Sequence, residues 1–125
     1  MKYNININQR ATHEYNKEFE TDLNYTDMTV FDYLFWICTS PSDKVIAQKI
    51  YIKDKDYVWI DYSHLIKEMP IVNNISKSSI SRIIQKLENA GLIETQIKSK
   101  GTGKAKYVRI LDKAEKLFSS VVIKI

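Results

Sequence analysis

One segment, from Ile75 to Ile110, constrains the fold of this chain more than any other: ISKSSISRIIQKLENAGLIETQIKSKGTGKAKYVRI. Its first half carries apolar residues at the spacing of one helix face. These apolar positions are Ile80, Ile83, Ile84 and Leu87. Ser76 can cap such a helix at its start, and Gly91 can end it. The second half alternates apolar and polar residues around a glycine-bearing turn, which predicts a β-hairpin.

The segments on either side predict three further helices and a short pair of strands. We expect Thr26 to cap a helix through DMTVFDYLFWICTS that ends before Pro41. KIYIKDKDYVWID alternates on either side of DKD, which predicts a short hairpin or two extended segments. Asp61 can cap a helix over YSHLIKEM, which Pro70 stops. A last helix near DKAEKLFSS closes the domain.

The order of these elements predicts an α+β fold that is mainly α. Two helices joined by the short turn PIVNNI, the second beginning with small polar residues, form a helix-turn-helix pattern. The predicted β-hairpin follows directly. A chain of 125 residues has the length of one domain, and no repeat or low-complexity linker divides it.

The formal net charge of +4 is distributed unevenly along the chain. From Met1 to Ile75, eight Lys and Arg stand against eleven Asp and Glu. From Ser76 to Arg109, eight basic residues stand against two acidic ones. Such asymmetry is usual in proteins that bind a polyanion, although a basic segment can also be only a solvated surface.

Composition excludes several classes of protein. With 44% hydrophobic and 27% charged residues, the chain is neither disordered nor a membrane protein. Its longest apolar stretch, VFDYLFWIC, is far shorter than the roughly 20 residues that a membrane span needs. The N-terminus lacks a signal-peptide pattern, and the single cysteine, Cys38, cannot form an internal disulfide. We therefore expect a soluble, cytoplasmic domain.

The polar side of the helix that follows Ser76 has the chemistry of a DNA-binding surface. Its candidate residues are Ser76, Lys77, Ser78, Ser81, Arg82, Gln85 and Lys86. Serine hydroxyls and a helix N-terminus can donate to phosphate oxygens. Arg82 can form a bidentate pair with a guanine edge, and Gln85 suits an adenine edge. An ordinary amphipathic surface helix is the alternative interpretation.

The predicted hairpin adds positive charge next to that helix. Its candidate residues are Lys98, Lys100, Lys104 and Lys106. Lysines there can reach phosphates or the minor groove, and such contacts give affinity more than sequence selectivity. A nucleotide-binding loop is the rival interpretation of KGTGK, but that loop needs a longer glycine spacing and a strand-to-helix setting.

These motifs resemble a known superfamily of DNA-binding domains. ISKSSISRIIQKLENAGLIE with its basic hairpin resembles the recognition helix and wing of winged helix-turn-helix proteins, in particular the multiple-antibiotic-resistance-type regulators. FDYLFWICTS through YVWIDYSHLIKEMPIV resembles the winged-helix domains of phage and plasmid replication. The resemblance implies an N-terminal arm at 1–25, a winged helix-turn-helix domain at 26–118 and a C-terminal extension at 119–125. It also implies that the recognition helix enters the major groove.

The expected function is sequence-specific binding of double-stranded DNA by a homodimer on a two-fold-related site. Transcriptional regulation, replication initiation and plasmid partition all stay open. The termini MKYNININ and SSVVIKI alternate apolar residues, and we expect them to build the dimer contact. The alternative is a protein-interaction module, in which the winged helix is a scaffold and the aromatic N-terminal half docks a partner.

Residues for other chemistry are few. His13 and His64 lack neighbours at metal-ligand spacing. Capping and solvation explain Asp61 and Glu68 better than acid–base catalysis does. We expect no catalytic residue, no metal and no cofactor.

Overall fold

Helices and one antiparallel sheet make up the computed structural model, which describes residues 4–39, 49–70, 75–101 and 103–119. The elements are α1 (Gln9–Phe19), α2 (Tyr25–Thr39), β1 (Lys49–Ile52), β2 (Lys55–Trp59), α3 (Tyr62–Lys67), α4 (Lys77–Asn89), β3 (Ile93–Lys100), β4 (Gly103–Ile110), a 3-10 turn (Asp112–Glu115) and α5 (Lys116–Ser119). The strand order is β1-β2-β4-β3. The expected α+β class is therefore confirmed.

The predicted starts of α3 and α4 are confirmed by their caps. Asp61 Oδ1 accepts hydrogen bonds from the backbone N–H groups of Ser63 at 3.1 Å and His64 at 3.3 Å. Ser76 Oγ accepts one from the backbone N–H of Ser79 at 3.1 Å. Gly91, with φ of +82°, follows the end of α4 in the left-handed conformation that glycine tolerates. Residues 71–74 of the predicted turn lie outside the described residues.

The start of α2 differs from its prediction. Asn24 Oδ1 accepts a hydrogen bond from the backbone N–H of Asp27 at 2.9 Å, and Asp27 Oδ2 accepts one from that of Asn24 at 3.0 Å. This reciprocal pair is a capping box. Asn24 is therefore the cap instead of Thr26, which lies inside the first turn. Pro41, the predicted stop, lies outside the described residues.

Helix α1 is absent from the sequence-based prediction. Asn8 Oδ1 caps it by accepting from the backbone N–H of Ala11 at 2.9 Å. Its buried side is narrow and consists of Ala11, Thr12 and Tyr15. Phe19 adds a half-buried ring one turn further on. A stripe with so few large apolar residues gives little periodic signal, which explains why the helix is missed.

The sheet separates a large core from a small one. On one face, Val58 of β2 pairs with Val108 of β4, and both belong to the main core, which the helices cover. Because side chains alternate along a strand, the neighbouring Tyr57 and Tyr107 lie on the other face, in a smaller buried cluster. Both predicted hairpins are present, β1–β2 and β3–β4. None of the described helices combines the length and apolarity needed to traverse a bilayer.

Candidate nucleic-acid interface

Helix α4 buries one side and exposes the other. Ile80, Ile84 and Leu87 have no exposed surface, and Ile83 is half-buried against the same core. Exposed residues on the opposite side are Ser76, Lys77, Ser78, Arg82 and Gln85, and Ser81 is half-buried. The structure thus brings most of the predicted helix residues together on one face.

Hydrogen bonds along this face restrain its two base-contacting candidates. Arg82 donates from Nη2 to Ser79 Oγ at 3.2 Å, and Ser79 in turn accepts from Ser76 Oγ at 3.0 Å. Gln85 donates from Nε2 to Asn89 Oδ1 at 3.1 Å. Ser79 and Asn89 were not among the predicted site residues. Their spacing of three and four from Arg82 and Gln85 is the signal that could have found them.

Lys86 is directed towards the protein instead of this face. Its ammonium lies 2.6 Å from Asp27 Oδ2 and 3.4 Å from Asp22 Oδ1, and it donates to the backbone oxygen of Asp22 at 3.0 Å. Burial alone would lower the pKa of Lys86, but the hydrogen bond and charge of Asp27 outweigh it, so that the pKa is raised above 10.5. The structure therefore does not place Lys86 with the exposed candidates.

Two further side chains, Glu88 and Tyr15, hold the C-terminal half of α4 through hydrogen bonds. The carboxylate of Glu88 accepts from the backbone N–H of Thr95 at 3.2 Å and from its hydroxyl at 3.0 Å, which joins α4 to β3. The hydroxyl of Tyr15 on α1 donates to the backbone oxygen of Ala90 at 2.5 Å. Burial, followed by the charge of Glu18, raises the pKa of Tyr15 to about 12. The N-terminal half of α4 has no such polar contact to another described element.

The hairpin lysines are divided between the two faces of the sheet. Cross-strand partners share a face, and Lys104 pairs with Ser99 while Lys106 pairs with Ile97. Both lysines therefore lie on the face of Val108, which carries the helices. Lys98 pairs with Ala105 and lies on the opposite face. The side chain of Lys100 lies outside the described part of the chain.

These lysines carry positive charge without internal compensation. No Asp or Glu occurs between Glu94 and Asp112. Glu94 itself accepts from the hydroxyl of Tyr57 at 2.8 Å and from Arg109 Nη1 at 3.4 Å. Within the described ranges, the basic residues without an ion pair on α4 and the hairpin are Lys77, Arg82, Lys98, Lys104 and Lys106. Their charge is available to an external anion.

Metal binding is the other chemistry to consider in the part of the chain that the structure describes. No group of three His, Cys, Asp or Glu side chains there could hold a metal ion. His64 of α3 contacts α2, with its Nδ1 2.7 Å from the hydroxyl of Tyr33, and its Nε2 lies 3.6 Å from Glu68 Oε1. His13 is exposed on α1.

Comparison with protein families, curated proteins and solved structures finds no match to this chain.

Proposed function

We propose that this protein is a winged helix-turn-helix domain that binds double-stranded DNA. In this proposal α3 and α4 form the helix-turn-helix, and the β3–β4 hairpin is the wing. The observation that carries the proposal is the uncompensated charge of the exposed Lys77, Arg82, Lys98 and Lys104 and of the half-buried Lys106, in a domain whose other part is acidic. A polyanion is the partner that such a surface fits.

The exposed face of α4 has the residues needed to contact base edges in the major groove. The capped N-terminus offers backbone N–H groups and serine hydroxyls to a phosphate. Arg82 then lies in the second turn, where a helix that enters the groove end-first approaches the bases. Because Ser79 already restrains its guanidinium, Arg82 loses less side-chain freedom when it binds a guanine edge.

The two-sided distribution of lysines suits a wing that lies against a phosphate backbone. Lys104 and Lys106 on one face and Lys98 on the other can contact phosphates on both sides of the hairpin. Such contacts add affinity for any duplex, whereas α4 provides the selectivity. A homodimer on two half-sites would multiply the limited affinity of one domain. The cellular role that we propose is transcriptional regulation, or phage or plasmid replication or partition, in the cytoplasm.

The dimer contact that we expect at the termini depends on residues 1–3 and 120–125, which lie outside the described residues. Ile5 and Ile7, the described part of the N-terminal pattern, are half-buried. The dimer therefore stays a prediction, which sedimentation of the full chain can test.

The experiment that tests DNA binding is a salt titration of affinity for a random duplex. We expect log K to fall linearly with log salt. A Lys77, Lys98 and Lys104 triple alanine variant should reduce that slope by about 0.9 for each phosphate that it no longer neutralises. The matched control replaces the exposed Lys17, Lys53 and Lys55, which removes the same charge away from α3, α4 and the β3–β4 hairpin.

Two results would contradict the proposal. If the wild-type protein binds no duplex even at low salt, the protein-interaction alternative gains. If the control triple variant loses as much affinity and slope as the test variant, net charge alone drives binding and the proposed interface is wrong.

A further inference from the structure

We propose that Lys86 is a positioning residue that sets the orientation of α4 and does not itself bind DNA. This inference rests on the proposed function, because it concerns how the DNA-binding face of α4 is presented. It deepens that function by separating one basic residue of the helix from the residues that contact DNA.

The ammonium group of Lys86 lies among acceptors of the chain, and 31% of its side chain is exposed. It has three N–H donors, and three acceptors surround it: Asp27 Oδ2 at 2.6 Å, the Asp22 backbone oxygen at 3.0 Å and Asp22 Oδ1 at 3.4 Å. A phosphate oxygen would have to compete with these three oxygens for the ammonium. A contact with DNA would therefore require Lys86 to leave its present partners.

Leaving these partners is unfavourable because of Asp27. The side chain of Asp27 is only 4% exposed, whereas that of Asp22 is 90% exposed. A buried carboxylate that loses its cation keeps the cost of desolvation without the compensating attraction. Asp27 also belongs to the capping box of α2, so the ion pair connects α4 to a fixed helix start.

The position of this ion pair on α4 explains how it sets the orientation of the helix. Lys86 and Glu88 are two residues apart, which places them about 200° apart around the helix axis. Lys86 holds α2 on one side of α4, and Glu88 holds β3 on another. Two such contacts resist rotation of α4 about its own axis. Arg82, one turn before Lys86, would shift its direction if the helix rotated.

The test compares Lys86→Met, which keeps the length of the side chain, with Lys86→Arg, which keeps the charge. At a temperature where both variants are folded by circular dichroism, we expect Lys86→Met to bind a selected duplex roughly tenfold more weakly. Its affinity for random duplex and its salt slope should stay those of the wild type. Lys86→Arg should recover most of the selectivity.

The matched control is Lys77→Met, on the exposed face of the same helix. We expect it to weaken binding to all duplexes and to reduce the salt slope by about 0.9, because it removes a phosphate contact. If Lys86→Met does not fold, Asp27→Asn removes the same ion pair from the other side and should show the same loss of selectivity.

Each contrary outcome has one meaning. A smaller salt slope in Lys86→Met would show that Lys86 contacts a phosphate and would overturn the inference. Unchanged discrimination between selected and random duplexes would overturn it as well. If the wild type binds no duplex, the proposed function fails. Hydrogen exchange of the α4 amides then tests the role of Lys86 separately. Amides that exchange no faster in Lys86→Met than in the wild type would show that Lys86 does not hold the helix.

Discussion

Arg82 is the residue on which sequence selectivity depends in the proposed complex. It is exposed, it forms no ion pair within the described ranges, and its hydrogen bond to Ser79 leaves most of its N–H donors available. The planar guanidinium can meet both acceptors of guanine, which the point charge of lysine cannot. The other basic residues of the proposed interface are lysines, and each offers only a point charge.

We predict that Arg82→Lys keeps most of the affinity for random duplex but loses about 1 to 3 kcal/mol of discrimination at one base pair of a half-site. Arg82→Ala should lose both. Competition binding across single-base variants of a selected site measures this difference. A uniform loss on every variant, with no base preference relaxed, would show that Arg82 contacts only a phosphate.

The ion pair of Lys86 also predicts a dependence of stability on alkaline pH. Its pKa in the folded state is raised above 10.5. A raised pKa means that the stabilisation is fully present below the unfolded-state pKa and is lost as pH rises through the folded-state pKa. We expect the free energy of unfolding of the wild type to exceed that of Lys86→Met at neutral pH, and the difference to shrink above pH 10.5.

Urea unfolding of both variants at pH 7 and at several alkaline values measures this difference. Any other group that ionises in this range does so in both variants, so its contribution cancels. A difference that stays constant through the alkaline range would mean that the ammonium charge of Lys86 does not stabilise the fold.

At the scale of elements, α1 is attached to the end of the proposed recognition helix. The hydroxyl of Tyr15 supplies a donor to the backbone oxygen of Ala90, which lies beyond the last regular turn of α4 and has no following helical N–H. The ring itself is buried. Helix α1 therefore forms part of the support of α4.

We predict that Tyr15→Phe lowers the free energy of unfolding by about 1 to 2 kcal/mol, because it leaves the Ala90 oxygen without its buried donor. The salt slope of DNA binding should not change, since no charge is removed. Tyr25→Phe is the control, because Tyr25 is 60% exposed and its hydroxyl has water as an alternative partner. Equal stability of the two variants in urea unfolding would refute this role of Tyr15.

The elements that sequence alone predicted correctly are those with local signals. Helix α4 has its cap at Ser76, its stripe of Ile and Leu and its terminating Gly91 within one short segment. The two hairpins likewise show their alternation and turns locally. The cap of α2 was misassigned because Asn24 and Thr26 are both good caps, and only the return bond from Asp27 distinguishes them.

The residue types of the candidate site could be predicted from the sequence. Which of its basic residues face solvent and which face the protein could not. Arg82 and Gln85 follow from the helical repeat, and the structure exposes both. Lys86 has the same charge as Arg82 and nearly the same position around the helix axis. Its direction is decided by Asp22, 64 residues earlier, and by the buried Asp27, and no local pattern contains that information.

At the scale of the whole molecule, the two halves of α4 have different surroundings. The C-terminal half is joined to α2 through Lys86, to β3 through Glu88 and to α1 by way of Ala90. The N-terminal half displays Lys77, Ser78 and Arg82 outward. Polar contacts with three elements therefore hold the C-terminal half of α4 in place, while its N-terminal half stays accessible.

The packing of α1 has a consequence for how the chain folds during synthesis. Its Tyr15 bonds to Ala90, its Phe19 ring lies 3.7 Å from the ammonium of Lys113, and its Glu18 lies 3.5 Å from that of Lys116. A ribosome makes all three partners long after α1 has emerged. Helices of this length are marginal in isolation. We therefore expect α1 to stay unstructured on the nascent chain and to dock last, after translation has passed the hairpin, so that protease resistance near Tyr15 marks completed folding.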